Sequence, residues 1–180
     1  VLLAAVLYTA RGLFIAATVN GQPITRLSLV KELERQSGKQ TLDSLITKTL
    51  ILQEAKKQNI QVSDQQIDDE IKKIEANLKQ QGQNLDQVLS LQGLTKESLR
   101  DQVRVQKIVE ILLGRQIVVT DKEVTDYIAS NSAQLPQDMP EATLKDNIKQ
   151  QLRQQKLSEK FQTWLAQLRQ NANVSYLVNY

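Results

Sequence analysis

The chain has 180 residues, 41% of them hydrophobic, a length that fits one compact domain or one domain plus a membrane segment. It contains no Cys and no His, which excludes thiol nucleophiles, His general bases, Ser–His triads and the usual zinc sites, so neither metal nor cofactor is expected. Its net charge of +3 comes from 23 basic and 20 acidic residues interspersed along the chain, which describes a solvated helical surface and predicts no nucleic-acid partner.

The chain begins without Met in an apolar run, VLLAAVLYTARGLFIAATV, which predicts a processed or truncated N-terminus. The run approaches the roughly 20 residues of a membrane-spanning helix. Arg11 interrupts it, where a charge costs about 2.5–3.5 kcal/mol at a helix centre. Residues 1–11 therefore read as the end of a transmembrane anchor or signal-anchor, with Tyr8 at the interface and Arg11 snorkelling to the headgroups. A buried helix or strand, or a signal-peptide remnant, is the alternative.

Residues 12–134 read as a helical module. IAATVNGQPIT predicts a small hairpin, because Asn20-Gly21 supplies the two positive φ angles of a type I′ turn, and Pro23 limits the second strand to an edge. TRLSLVKELERQSG predicts a helix stopping at Ser37-Gly38, and TLDSLITKTLILQEAKKQN a second, well-buried helix ending at Asn59. VSDQQIDDEIKKIEANLKQQG opens with Ser63 and Gln66 as a capping box and repeats Ile67, Ile71, Ile74 and Leu78 at helical spacing. Two further helices are predicted over 84–92 and 95–114, the second with Leu99, Val103, Val109 and Leu113 available for burial. Thr120 and Glu123 form another capping box ahead of Val124, Tyr127 and Ile128.

Residues 135–140, with Pro136 and Pro140, form a connector. Residues 141–180 follow as a long helix and a terminal strand, VSYLV. The helix carries two apolar stripes. With Leu144 at zero and about 100° per residue, Leu144, Ile148 and Leu152 cluster near about 40°, while Leu157, Phe161, Trp164, Leu165 and Leu168 cluster near about 240°. The apolar face thus changes sides near Gln154-Gln155. Either one half closes the core and the other lines a groove, a dimer seam or a client-binding surface, or the core wraps around the helix.

Little in the chain points to covalent chemistry. Asp64 and Asp68 share a helix face in SDQQIDDE, but they sit in the first turns, where acids complement the helix dipole, and the spacing lacks the Gly and terminal Glu of a calcium loop. Ser and Lys in SLVK and TLDSLITK lie within helices, with no strained nucleophile turn. The six glycines occur singly and form no phosphate cradle.

In order and spacing, VNGQPIT, LDSLITKTLILQEAKKQNIQVSDQQIDDEI and LDQVLSLQGLTKESLRDQVRVQKIVEILLGRQIVVTDKEVTDYI resemble the N-terminal chaperone module of the SurA and PrsA family of extracytoplasmic foldases, over about residues 17–128. LRQQKLSEKFQTWLAQLRQNANVSYLV is similar to the segment that returns in that family to complete the module. The resemblance implies a mainly α fold, with the C-terminal strand closing a small sheet on the hairpin, after an N-terminal membrane segment. In the family a parvulin-type prolyl isomerase commonly lies between the VTDKEV helix and the return helix. Here that space holds only the connector, and the His residues usual in parvulin sites are missing, so the isomerase domain is expected to be absent and the chain not to be an enzyme.

The function so implied is a holdase-type chaperone, single-pass anchored on the outer face of the bacterial cytoplasmic membrane, whose partners are unfolded or exported polypeptides. Candidate client-binding residues are Leu144, Ile148, Leu152, Tyr127, Met139 and Trp164. The alternative is a membrane-anchored adaptor that binds one folded partner, or a homodimer built through the long helix. An enzyme using Asp64 and Asp68 is a third reading, which would require Asp68→Ala to abolish an activity.

Overall fold

A computed structural model of the protein describes residues 11–136, 139–178 and 180. The elements in chain order are α1 (Arg11–Phe14), β1 (Ile15–Val19), β2 (Gln22–Thr25), α2 (Arg26–Lys57), α3 (Asp64–Gln80), α4 (Leu85–Leu91), α5 (Lys96–Gly114), α6 (Asp121–Asn131), a 3-10 turn (Ser132–Gln134) and α7 (Glu141–Gln170). The fold is mainly helical, as the sequence predicts. Two compact units divide it, residues 1–46 with 173–180 and residues 47–172.

In the first unit, Asn20 (φ 50°) and Gly21 (φ 82°) make the turn that joins β1 antiparallel to β2, with Val19 opposite Gln22 and Ala17 opposite Ile24. The ladder slips between Ile15 and Ala17.

Three expectations need correction here. The predicted third strand is not formed: the sheet has two strands, and VSYLV lies outside it with Leu177 95% exposed. Strand propensity alone is insufficient, because a strand exists only where a ladder partner is aligned with it. The helix break at Ser37-Gly38 is also absent, and α2 runs through it. Gly38 instead seats the Tyr180 ring, since a Cβ there would lie 2.7 Å from Tyr180 Cδ1. Finally, no helix among the described residues is long and apolar enough to cross a membrane, which overturns the single-pass anchor; α1 spans only Arg11–Phe14. Residues 1–10, which hold most of the anchor expected from sequence, lie outside the described residues.

The second unit holds the core. Ile51 and Ala55 of α2 cluster with Ile108, Leu112 and Leu113 of α5, and each buried Ile or Leu stabilises by about 1.5–3 kcal/mol. The capping boxes predicted from sequence are present: Gln66 N–H donates to Ser63 Oγ at 3.3 Å while Ser63 N–H donates to Gln66 Oε1 at 2.9 Å, and Thr120 and Glu123 repeat the pattern. Past the end of α2, Asn59 takes a positive φ of 53° and Ile60 N–H bonds back to the Ala55 carbonyl at 2.8 Å, which stops the helix where the sequence places its end.

Helix α3 packs on α5, and the Asp64–Asp68 cluster explains part of that packing. Arg100 of α5 pairs with Asp68 and, at 3.4 Å, with Asp64; Arg104 reaches Asp64 at 3.5 Å, and Lys107 reaches Glu70 at 2.7 Å. The Lys107 hydrogen bond holds the Glu70 carboxyl below its ordinary range. These acids therefore serve as the partners of basic side chains on the neighbouring helix.

Candidate functional site

The change of face along α7 positions the site. Over its first half, α7 packs on α6, where Val124 and Ile148 are buried, Ile148 to 2% exposure. Lys156 donates to Glu123 at 2.5 Å and to the Val118 carbonyl at 2.7 Å, while Arg153 donates to the carbonyls of Gly114 and Ile117 at 3.2 and 3.3 Å. These bonds fix α7 to the turn between α5 and α6. Over its second half, Leu157, Phe161 and Trp164 lie against the α2–α5 core cluster. The core thus wraps around the helix, and each half meets a different partner.

Between α2, α5 and the second half of α7 lies an open groove of about 640 Å³. Its apolar surface comes from Ile51 of α2, Val105 and Val109 of α5, and Leu157 and Phe161 of α7. The Phe161 ring leans on Trp164, with centroids 6.0 Å apart and planes tilted by 41°. Uncharged polar side chains rim it, among them Gln102, Gln106 and Gln154.

Three charged side chains also line the groove, and each is paired. Lys48 meets Asp101 at 2.8 Å, Arg104 meets the same carboxylate at 2.9 Å, and Glu110 receives Lys107 at 3.0 Å. The Lys48 hydrogen bond keeps the Asp101 carboxyl below its ordinary range. The site therefore offers apolar contact and uncharged hydrogen-bonding groups, with no unbalanced charge among its lining.

Five of the six residues singled out from sequence lie on or against the first half of α7, outside the groove lining. Ile148 is in the core, and Leu144 and Leu152 are half-buried on the α6-facing half of α7. Tyr127 accepts a hydrogen bond from Gln151 Nε2 at 2.9 Å, and the Met139 thioether accepts one from Asn147 at 3.3 Å. Trp164 alone among the six stands next to the groove, through Phe161. Sequence reasoning does not single out Ile51 and Val105; it puts Leu157 and Phe161 on one apolar stripe without deciding which stripe lines a groove. The signal for the α5 wall was available: α5 carries apolar residues around most of its circumference, more than one packing partner needs.

Residues 6–113, more than half of the chain, match the family of SurA-like N-terminal domains. The chain belongs to this family. Among curated relatives, Chaperone SurA of Saccharophagus degradans is 34% identical over 101 residues, 54% of this chain and 24% of that protein. Foldase protein PrsA of Clostridium botulinum is 25% identical over 123 residues, 64% of this chain and 37% of that one. YacD of Bacillus subtilis, whose name places it provisionally among peptidyl-prolyl cis–trans isomerases, is 30% identical over 115 residues, 64% of this chain and 36% of that protein. The chain thus spans only about a quarter to somewhat over a third of the length of these relatives. The SurA-like match takes in the hairpin and α2 to α5, and so two walls of the groove; the α7 wall lies beyond it.

Proposed function

We propose that this SurA-like module holds unfolded polypeptides by apolar contact, without covalent catalysis, and that the groove between α2, α5 and α7 is where it does so. The observation that carries the reading is an open apolar floor bounded by paired charges and Gln side chains. Unfolded chains expose apolar side chains that folded ones hide. Two or three of them buried here, at about 1.5–3 kcal/mol each before ordering costs, correspond to weak, millimolar-to-micromolar binding that permits release. The names of the SurA and PrsA relatives, a chaperone and a foldase, support the same reading. We place no isomerase within these residues: only residues 132–140 separate α6 from α7, far too few for a folded domain.

The test is light scattering from an unrelated aggregating protein, with and without this chain. Suppression by the parent, its loss in Val105→Ser/Val109→Ser, and its retention in Leu144→Ser/Leu152→Ser would support the groove. Loss only in the second variant would move the client surface to the first half of α7. No suppression at stoichiometric excess would sink the chaperone reading and favour one dedicated folded partner.

A further inference from the structure

We propose that the groove receives its client as an amphipathic helix, with apolar residues at i, i+3 or i+4 and i+7 and an uncharged inserted face. This rests on the holding function proposed above and adds the conformation of what is held.

Hydrogen-bond satisfaction decides between a helical and an extended occupant. All three walls are α-helices, whose backbone N–H and C=O groups are already bonded along their own axes. The groove therefore has no sheet edge with which an extended segment could pair. An extended client pressed onto Val105, Val109, Leu157 and Phe161 would bury backbone polar groups against apolar side chains, and an unpaired buried amide costs as much as a lost hydrogen bond. The Gln side chains at the rim could reach only some of them. A helix satisfies its own backbone and presents side chains alone.

Shape and charge point the same way. Val105 and Val109 form an i, i+4 ridge on α5, and Leu157 and Phe161 form an i, i+4 ridge on α7. A trough flanked by two such ridges accepts the i±4 ridge of a further helix. The α5 wall runs from Ser98 to Glu110, about 18 Å at 1.5 Å per residue, which matches roughly three turns of helix. Lys48 is neutralised by Asp101 and Glu110 by Lys107, so a charge on the inserted face would find no free counter-charge among the lining residues.

The test uses the full chain and two fluorescein-labelled peptides of about 18 residues and identical Leu, Ala, Gln and Lys composition, long enough for a helix to form. One places Leu at helical spacing, the other at alternate positions. Anisotropy should show the helical pattern binding at least about tenfold more tightly, with a gain of helical circular dichroism on binding, and Val105→Gln/Val109→Gln should weaken it by a similar factor. The peptide comparison needs no variant, so a poorly folded variant does not spoil it. Equal or tighter binding of the alternating peptide would overturn the helical occupant. So would binding of the helical peptide that a folded Val105→Gln/Val109→Gln variant leaves unchanged, or a dimer of the free chain, seen by sedimentation, that this variant dissociates. In each of those cases aggregation suppression by the parent would still leave the holding function standing; loss of suppression as well would remove both.

Discussion

Lys156 of α7 places its Nζ 2.5 Å from Glu123 Oε1 of α6, and Glu123 Oε2 accepts the Thr120 N–H at the start of the same helix. One carboxylate thus caps α6 and ties α7 to it. The Lys156 hydrogen bond first, and the Thr120 N–H second, lower the Glu123 pKa from 4.5 to about 2. A carboxyl whose pKa falls on folding stabilises the fold above its unfolded value of 4.5, and that contribution is lost as pH falls toward about 2. Glu123→Gln keeps a capping oxygen and removes the charge. Its urea midpoint should lie below the parent's at pH 7, and the two should converge as the pH is lowered across that window. Midpoints that stay parallel would assign the loss to geometry instead of ionisation.

Ile67 and Asp68, neighbours on α3, contribute to its packing by different means. Ile67 is fully buried, whereas Asp68 pairs with Arg100 in a half-exposed setting. Ile67→Ala should cost about 2–5 kcal/mol, independent of salt. Asp68→Asn should cost less, and its cost should shrink as salt is raised. Urea unfolding of both variants at low and high salt is the measurement, and a larger loss for Asp68→Asn would reverse the ranking of packing over charge.

Gly38 lies in α2 with the Tyr180 ring against it. Gly38→Ala gains about 1 kcal/mol of helix propensity. The new Cβ would sit 2.7 Å from Tyr180 Cδ1, so the ring must shift to admit it. The expected result is no fall in melting temperature together with greater solvent exposure of Tyr180 in ultraviolet difference spectra. A clear fall would mean that the ring cannot yield.

Legibility from sequence followed the range of the interactions. The capping boxes at Ser63 and Thr120 and the Asn20-Gly21 turn were readable because each is decided within about four residues. Ser37-Gly38 has the local pattern of a helix end, yet the role of Gly38 is set by Tyr180, far away in sequence. VSYLV has the composition of a strand, but composition says nothing about whether a ladder partner is aligned. The two apolar stripes of α7 are legible in the sequence, yet which stripe adjoins a groove depends on the packing of α6 against the half that carries Ile148 and on the gap left beside Val105 and Val109. That information lies in what fails to pack, and no local pattern carries it.

Helix α2 belongs to the first unit up to Ile46 and to the second from Thr47. Its buried residues begin at Leu50, and among the described residues of the first unit none is buried; Leu27, Leu29, Val30 and Leu33 are all exposed. A helix without tertiary burial keeps only its marginal intrinsic stability, so one continuous helix should have two local stabilities. Native-state hydrogen exchange should show amides over residues 30–44 exchanging through local opening, well before those over 50–57, which should require opening of the core around Ile51 and Ala55. Uniform protection along α2 would mean that its first half is stabilised by something other than burial within this chain, and the exposed Leu27–Leu33 face would be where to look for the partner.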